Sequence, residues 1–162
     1  MKSLYSILFV FLFLSIAFIS CVKEKNFPIE PSIGFKEFVN YNIDSADCII
    51  IFKDGDGDIG AIEGDTIPNL KMKYLFKGSD GQFHPYDQTP GTSQFDTLFY
   101  TYRVKNLTPE GQYKALDGEI RIQLRASPLY SPLHHVVKFD IRLTDRAGHL
   151  SNIATTNEIT VP

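Results

Sequence analysis

The chain of 162 residues has no tryptophan, only two cysteines and two methionines, and no strong excess of either charge. Each shortage excludes something. Without tryptophan the buried indole of antibody domains is unavailable. A formal charge of −3 gives no reason to expect nucleic acid as a partner. No segment keeps a helical period over three turns, so a helical bundle is excluded. Catalytic signatures are also missing: there is no Gly-x-Ser-x-Gly, no His-Glu-x-x-His and no Cys-x-x-Cys. The adjacent His134 and His135 open a strand pattern, where alternation sends the two rings to opposite faces and away from a shared metal. Ser127 and Ser131 flank prolines in a turn. The chain reads as a non-catalytic protein.

What is present begins with a leader. "MKSLYSILFVFLFLSIAFISC" has one early positive charge, Lys2, and runs uncharged from Leu4 to Ile19 before Ser20 and Cys21. A positive start, an apolar middle and a small residue before a cleavage point make a secretory signal. The apolar run is short of the roughly 20 residues that span a bilayer, which disfavours the alternative, an uncleaved transmembrane anchor. "FISC" resembles the lipobox of bacterial lipoproteins, with Phe18 where that family usually has leucine. The resemblance implies diacylglycerol on the Cys21 thiol, and hence a membrane partner through a lipid anchor. Residues 1–20 are then a lipoprotein signal peptide, 21–33 a charged and proline-containing tether, and 34–162 one domain, enough chain for a real core. Lys23, Glu24 and Lys25 follow the cysteine, and such charges resemble a surface-export signal. If Cys21 carries lipid, Cys48 is left without a disulfide partner. It lies in "DCIIIF", where an inert buried thiol is expected.

The domain reads as strands. "GEIRIQLRA" turns Ile120, Ile122 and Leu124 one way, and "VVKFDIRLTD" does the same with Val137, Phe139, Ile141 and Leu143. "KMKYLFKG" and "TLFYTYRV" alternate as well, with Met72, Tyr74 and Phe76 in one and Leu98, Tyr100, Tyr102 and Val104 in the other. "CIIIF" is apolar on both faces, as a central strand would be. A first strand near 34–41 and a last near 151–161 bring the number to about seven. The predicted fold is all-β, an immunoglobulin-like antiparallel β-sandwich. A small lipocalin-like barrel is the alternative, but it usually needs eight or more strands.

The one stretch with visible chemistry is "FKDGDGDIG". Asp54, Asp56 and Asp58 alternate with glycine, at the spacing of the first carboxylates of an EF-hand loop. Asp65 falls at the twelfth position and Gly60 could offer its carbonyl at the seventh. Ile59 stands where that loop needs glycine and no helix flanks it, so this is not an EF-hand. Two readings stay open. It is a calcium loop of the looser kind found in extracellular β-proteins, or a set of turns, since Asp-Gly is a strong turn former. If the strands reverse in order, the loops after the second, fourth and sixth emerge at one end, bringing Asp145 of "TDRAGHLSN" near the three aspartates. Arg146 is expected to pair with a carboxylate there, and Gly148 to take a left-handed turn.

"FKDGDGDIG" and "IRLTDRAGHLSNIATTNEITV" together resemble small lipoproteins of the Bacteroidota that carry an F-x-DGDGDIG motif and a closing DRAGN-x-SN strand pair. His149 stands where those sequences tend to have asparagine. The resemblance implies an outer-membrane, lipid-anchored location in the envelope of a Gram-negative bacterium and brings no established activity.

Finally, "KGSDGQFHPYDQTPGTSQFDT" is a long middle loop with Phe83, His84, Pro85 and Tyr86 at its tip. Phe83 and Tyr86 are candidates for stacking on sugar, or for capping the core. Two functions follow: an envelope lipoprotein with a binding or structural role and a protein partner, or a glycan-binding accessory module in nutrient uptake.

Overall fold

A computed structural model describes residues 26–42, 44–86, 98–125 and 134–160, without the side chain of Arg125. The signal segment, Cys21, Ser127, Ser131 and the middle loop from 87 to 97 lie outside the described residues. No helix occurs among the described residues. One sheet has the order β1–β2–β6, from Ser32–Asn42, Ser45–Asp54 and Leu116–Arg125. The other is built on β3 (Leu70–Lys77) and β7 (Val136–Leu143), paired antiparallel from Leu70 opposite Leu143 to Phe76 opposite Val137.

Both edges of the second sheet are broken. β4 (Phe83–Pro85) and β5 (Phe99–Tyr102) lie end to end along β3, and β8 (Ala154–Thr155) and β9 (Ile159–Thr160) lie end to end along β7. Among the described residues nine strands thus fill seven strand positions, three facing four, consistent with an immunoglobulin-like sandwich. The last edge breaks for a chemical reason. The Thr156 hydroxyl accepts the Phe139 amide at 3.0 Å and donates to the Asn157 carbonyl at 2.9 Å, replacing a rung of the ladder. Ser151 does the same with the Leu143 amide and the Asn152 carbonyl. A Ser/Thr-Asn pair is used twice, and neither residue signals a buried role by its polarity.

The predicted inward rows form the core. Cys48, Ile50 and Phe52 pack with Ile120, Ile122 and Leu124 from the first sheet, and with Met72, Tyr74, Phe139 and Ile141 from the second. β1 keeps Ile33, Phe35 and Phe38 against this core although the parity changes between them. A bulge at Lys36 absorbs the odd residue: Phe35 pairs with Ile50, but Glu37 pairs with Ile49. Cys48 is fully buried, and burial pushes its thiol up to about 12, as an inert side chain requires.

The tether ends earlier than expected. Pro31 is already buried and β1 begins at Ser32, not Gly34. The Asn152 side chain holds the main chain of this entry, its Nδ2 donating to the Ile33 carbonyl at 2.8 Å and its Oδ1 accepting the Ile33 amide at 2.9 Å.

Candidate metal centre

Asp54 is the last residue of β2 and is fully buried. The chain then leaves the sheet and coils back on it, because Asp54 Oδ2 accepts the Asp58 amide at 2.9 Å. Asp58 Oδ2 in turn accepts the Ala147 amide at 2.9 Å, from the turn that follows β7. The loops after β2 and β7 therefore meet at one end of the sandwich, as the strand count predicted. The third loop joins through Arg146, whose guanidinium donates to the Gly60 carbonyl at 3.0 Å, Asn106 Oδ1 at 3.0 Å and Thr108 Oγ1 at 2.6 Å.

Asp54 and Asp58 each use one oxygen to build the loop and leave the other over. The Oδ1 atoms of Asp54, Asp56 and Asp58 are buried and have no hydrogen-bond partner. One oxygen from each of the three residues lies within 4.8 Å of the others. Leaving a buried acceptor unsatisfied costs about 1–3 kcal/mol, more when charged, and three carboxylates this close also repel. The consequence appears in their acidity. Burial raises the Asp54 pKa to about 6, helped by the charges of Asp56, Asp58 and Asp145 and opposed by the Asp58 amide. Burial raises Asp58 as well, with Asp145 and Asp56 adding to it. Asp54, Asp56 and Asp58 can hold a metal ion. Hard carboxylate oxygens with no nitrogen or sulfur among them suit a hard cation.

The alternation of aspartate and glycine has a second cause. A Cβ on Gly57 would come within 2.1 Å of the Lys114 carbonyl oxygen, and one on Gly60 within 2.0 Å of that of Lys105. Both glycines also have positive φ, 66° and 97°. Other backbones press against the loop at these points, and only glycine combines the space with the left-handed turn.

Three expected ligands are not part of the group. Asp65 turns away to close its own turn, Oδ1 accepting the Ile67 amide at 2.9 Å, while its carbonyl accepts from Arg103. The Gly60 carbonyl is taken by Arg146. Asp145 spends both oxygens on His149, accepting its amide at 2.8 Å and lying 2.8 Å from its Nδ1. That bond holds the His149 imidazole above its ordinary pKa, with Glu30 and Asp56 contributing charge. Asp145 acts on the cluster through its field. Arg146 also departs from expectation, since it bonds a carbonyl, an amide oxygen and a hydroxyl in place of a carboxylate. Gly148 does take the left-handed turn, at φ 92°. The Asn106–Thr108 bracket was missed, although an asparagine closing its own turn onto Thr108 was its signal.

Phe83 and Tyr86 do not form one platform. Phe83 pairs with Lys77 and lies on the outer face under Lys138, whose Nζ is 4.4 Å from the ring centroid. Tyr86 turns to the other face, with its ring 5.0 Å from His134 and 6.2 Å from Tyr74. Strand alternation separates them, because β4 replaces the expected irregular tip.

Comparison with protein-family models, curated proteins and solved structures gave no match. Fold and site together define the class: an all-β sandwich with an acidic end that can hold a metal ion.

Proposed function

We propose that this is a lipid-anchored cell-envelope protein without catalytic activity, whose acidic end binds calcium and is stiffened by it for contact with a protein partner. The observation that carries the reading is that Asp54, Asp56 and Asp58 each keep a buried carboxylate oxygen without a partner and each bring an oxygen within 4.8 Å of the others. Calcium fits because it tolerates irregular oxygen shells of six to eight ligands, so waters and carbonyls can supply what three carboxylates do not. Magnesium demands a stricter octahedron. The anchor rests on the apolar leader ending in Cys21.

Isothermal titration with calcium should show one site, with a dissociation constant of about 0.1–1 mM, the range of extracellular modules. Asp56→Ala should weaken it at least tenfold, and magnesium should bind more weakly. Absence of heat, together with an unchanged melting temperature in excess calcium, would remove the cation from the reading. Intact mass of material from membranes should show acyl chains that Cys21→Ser abolishes.

A further inference from the structure

The first glycine of the loop, Gly55, differs from Gly57 and Gly60. Gly55 does not have positive φ, so a left-handed backbone is not what calls for glycine here. Space is what excludes a side chain. A Cβ there would lie 2.3 Å from the carbonyl oxygen of Phe27 and 2.5 Å from that of Pro28. The segment that leads in from the N-terminus is therefore seated directly on the acidic loop, between the first two aspartates. Other contacts hold it there. Lys53, two residues before Gly55, places its Nζ 5.6 Å from the centre of the Phe27 ring. Further along, Asn152 clamps Ile33 from the turn that follows β7. That same turn supplies the Ala147 amide to Asp58.

Two of the three loops that build the metal centre thus also build the seat for residues 27–33. We infer that cation binding at Asp54, Asp56 and Asp58 is coupled to docking of the Phe27–Ile33 segment through Gly55, so that the ion sets how firmly the domain stands on its N-terminal connection. The inference rests on the cation reading above. The physical reason is that the loop has one conformation compatible with both partners. The ion pulls three carboxylates together on one side of the backbone, and the segment lies against the bare Cα on another. Each partner favours the loop shape the other needs, and coupling of this kind is reciprocal.

The test uses the full chain in detergent, with hydrogen exchange followed by mass spectrometry and calorimetry in parallel. Calcium should slow exchange of the amides of Phe27, Ile29, Glu30, Ser32 and Ile33 by about tenfold, an ordinary coupling strength. Gly55→Ala should speed exchange in this segment without calcium and weaken calcium binding about tenfold, while β3 and β7 stay protected as in the wild type. Phe27→Ala, which leaves the loop untouched, should act in the same direction and covers the case in which Gly55→Ala does not fold. Heat of calcium binding with unchanged exchange at 27–33 overturns the coupling and leaves the metal centre standing. Calcium affinity unchanged in both variants also overturns it. No heat in the wild type removes the metal centre itself, and the coupling with it.

Discussion

Leu70 faces Leu143 at one end of the β3–β7 pair, and Phe76 faces Val137 at the other. Around the first end stand Asp54, Asp58 and Asp145; at the second, Tyr74, Phe76, Tyr86 and His134 pack together. The aromatic end satisfies itself. His134 stacks on Phe76 with centroids 4.0 Å apart and planes 12° from parallel, and its Nδ1 meets the Tyr74 hydroxyl at 3.1 Å. The acidic end does not, since three buried oxygens have nothing to accept from. One end is finished by folding, and the other keeps carboxylate oxygens that a metal ion could satisfy. That difference is the strongest physical argument for a ligand, because both ends belong to one core and only one of them carries a cost that packing leaves unrelieved.

The largest expected effect lies at the finished end. Tyr74 is 2% exposed and touches Tyr100, Phe139, His134 and Tyr86. Tyr74→Ala should cost about 3–5 kcal/mol, as aromatic truncation in a core does. Urea unfolding should give the same loss in calcium and in chelator. A loss that depended on calcium would mean the two ends are not independent.

At the acidic end the sign reverses. Saturating calcium, at about a hundred times its dissociation constant, should stabilise the wild type by about 2.7 kcal/mol, which is roughly 10 °C in melting temperature. Asp54→Asn keeps an oxygen for the Asp58 amide and removes one of the clustered charges. It should raise stability in chelator by about 1–2 kcal/mol and erase the calcium response. A destabilised Asp54→Asn that still responds to calcium would show the cluster to be structural only.

Acidification should separate the ends again, with smaller effects of opposite sign. Burial holds the His134 pKa below its ordinary 6.5. The unfolded chain therefore takes up that proton first as pH falls below 6.5, and the stability His134 contributes, complete above that pH, is lost on the way down. Asp54 runs the other way. Its pKa rises from 3.8 unfolded to about 6 folded, so the folded state binds more protons between these values. In chelator, stability should fall as pH rises from 3.8 to about 6, and calcium should restore it. Asp54→Asn should remove the Asp54 share of the falling slope, and His134→Phe the share that the imidazole adds in the opposite sense. Unfolding free energies from pH 4 to 7.5 read both.

The sequence made the core legible because period-two alternation is dictated by the pleat. Ile120, Ile122 and Leu124, or Val137, Phe139 and Ile141, had one way to face. It made the acidic corner legible in part. Strand reversal brought Asp58 to the turn that carries Asp145, but which oxygens stay free depends on amides donated by residues far along the chain, such as Ala147 to Asp58. Spacing could not reveal that Asp65 closes its own turn or that Asp145 is spent on His149. Nor could it reveal the seat on Gly55, since a glycine that makes room for another backbone looks like a glycine that makes a turn.

The smallest effect is the most exacting check on the contrast, because it changes the same residue type at the other end. Asp80 lies in the turn between β3 and β4, exposed, with its carboxylate 2.8 Å from His84 Nε2 and accepting the Gln82 amide at 3.0 Å. Those bonds, the amide first, hold its pKa below the usual carboxylate value. Every one of its interactions is local and open to water, so exchanging it for solvent contacts is nearly neutral. Asp80→Ala should therefore leave the melting temperature nearly unchanged and the calcium titration unmoved. If Asp80→Ala altered calcium binding as much as Asp56→Ala does, the ion would be responding to net charge over the whole surface, and the convergence of Asp54, Asp56 and Asp58 would have no special standing.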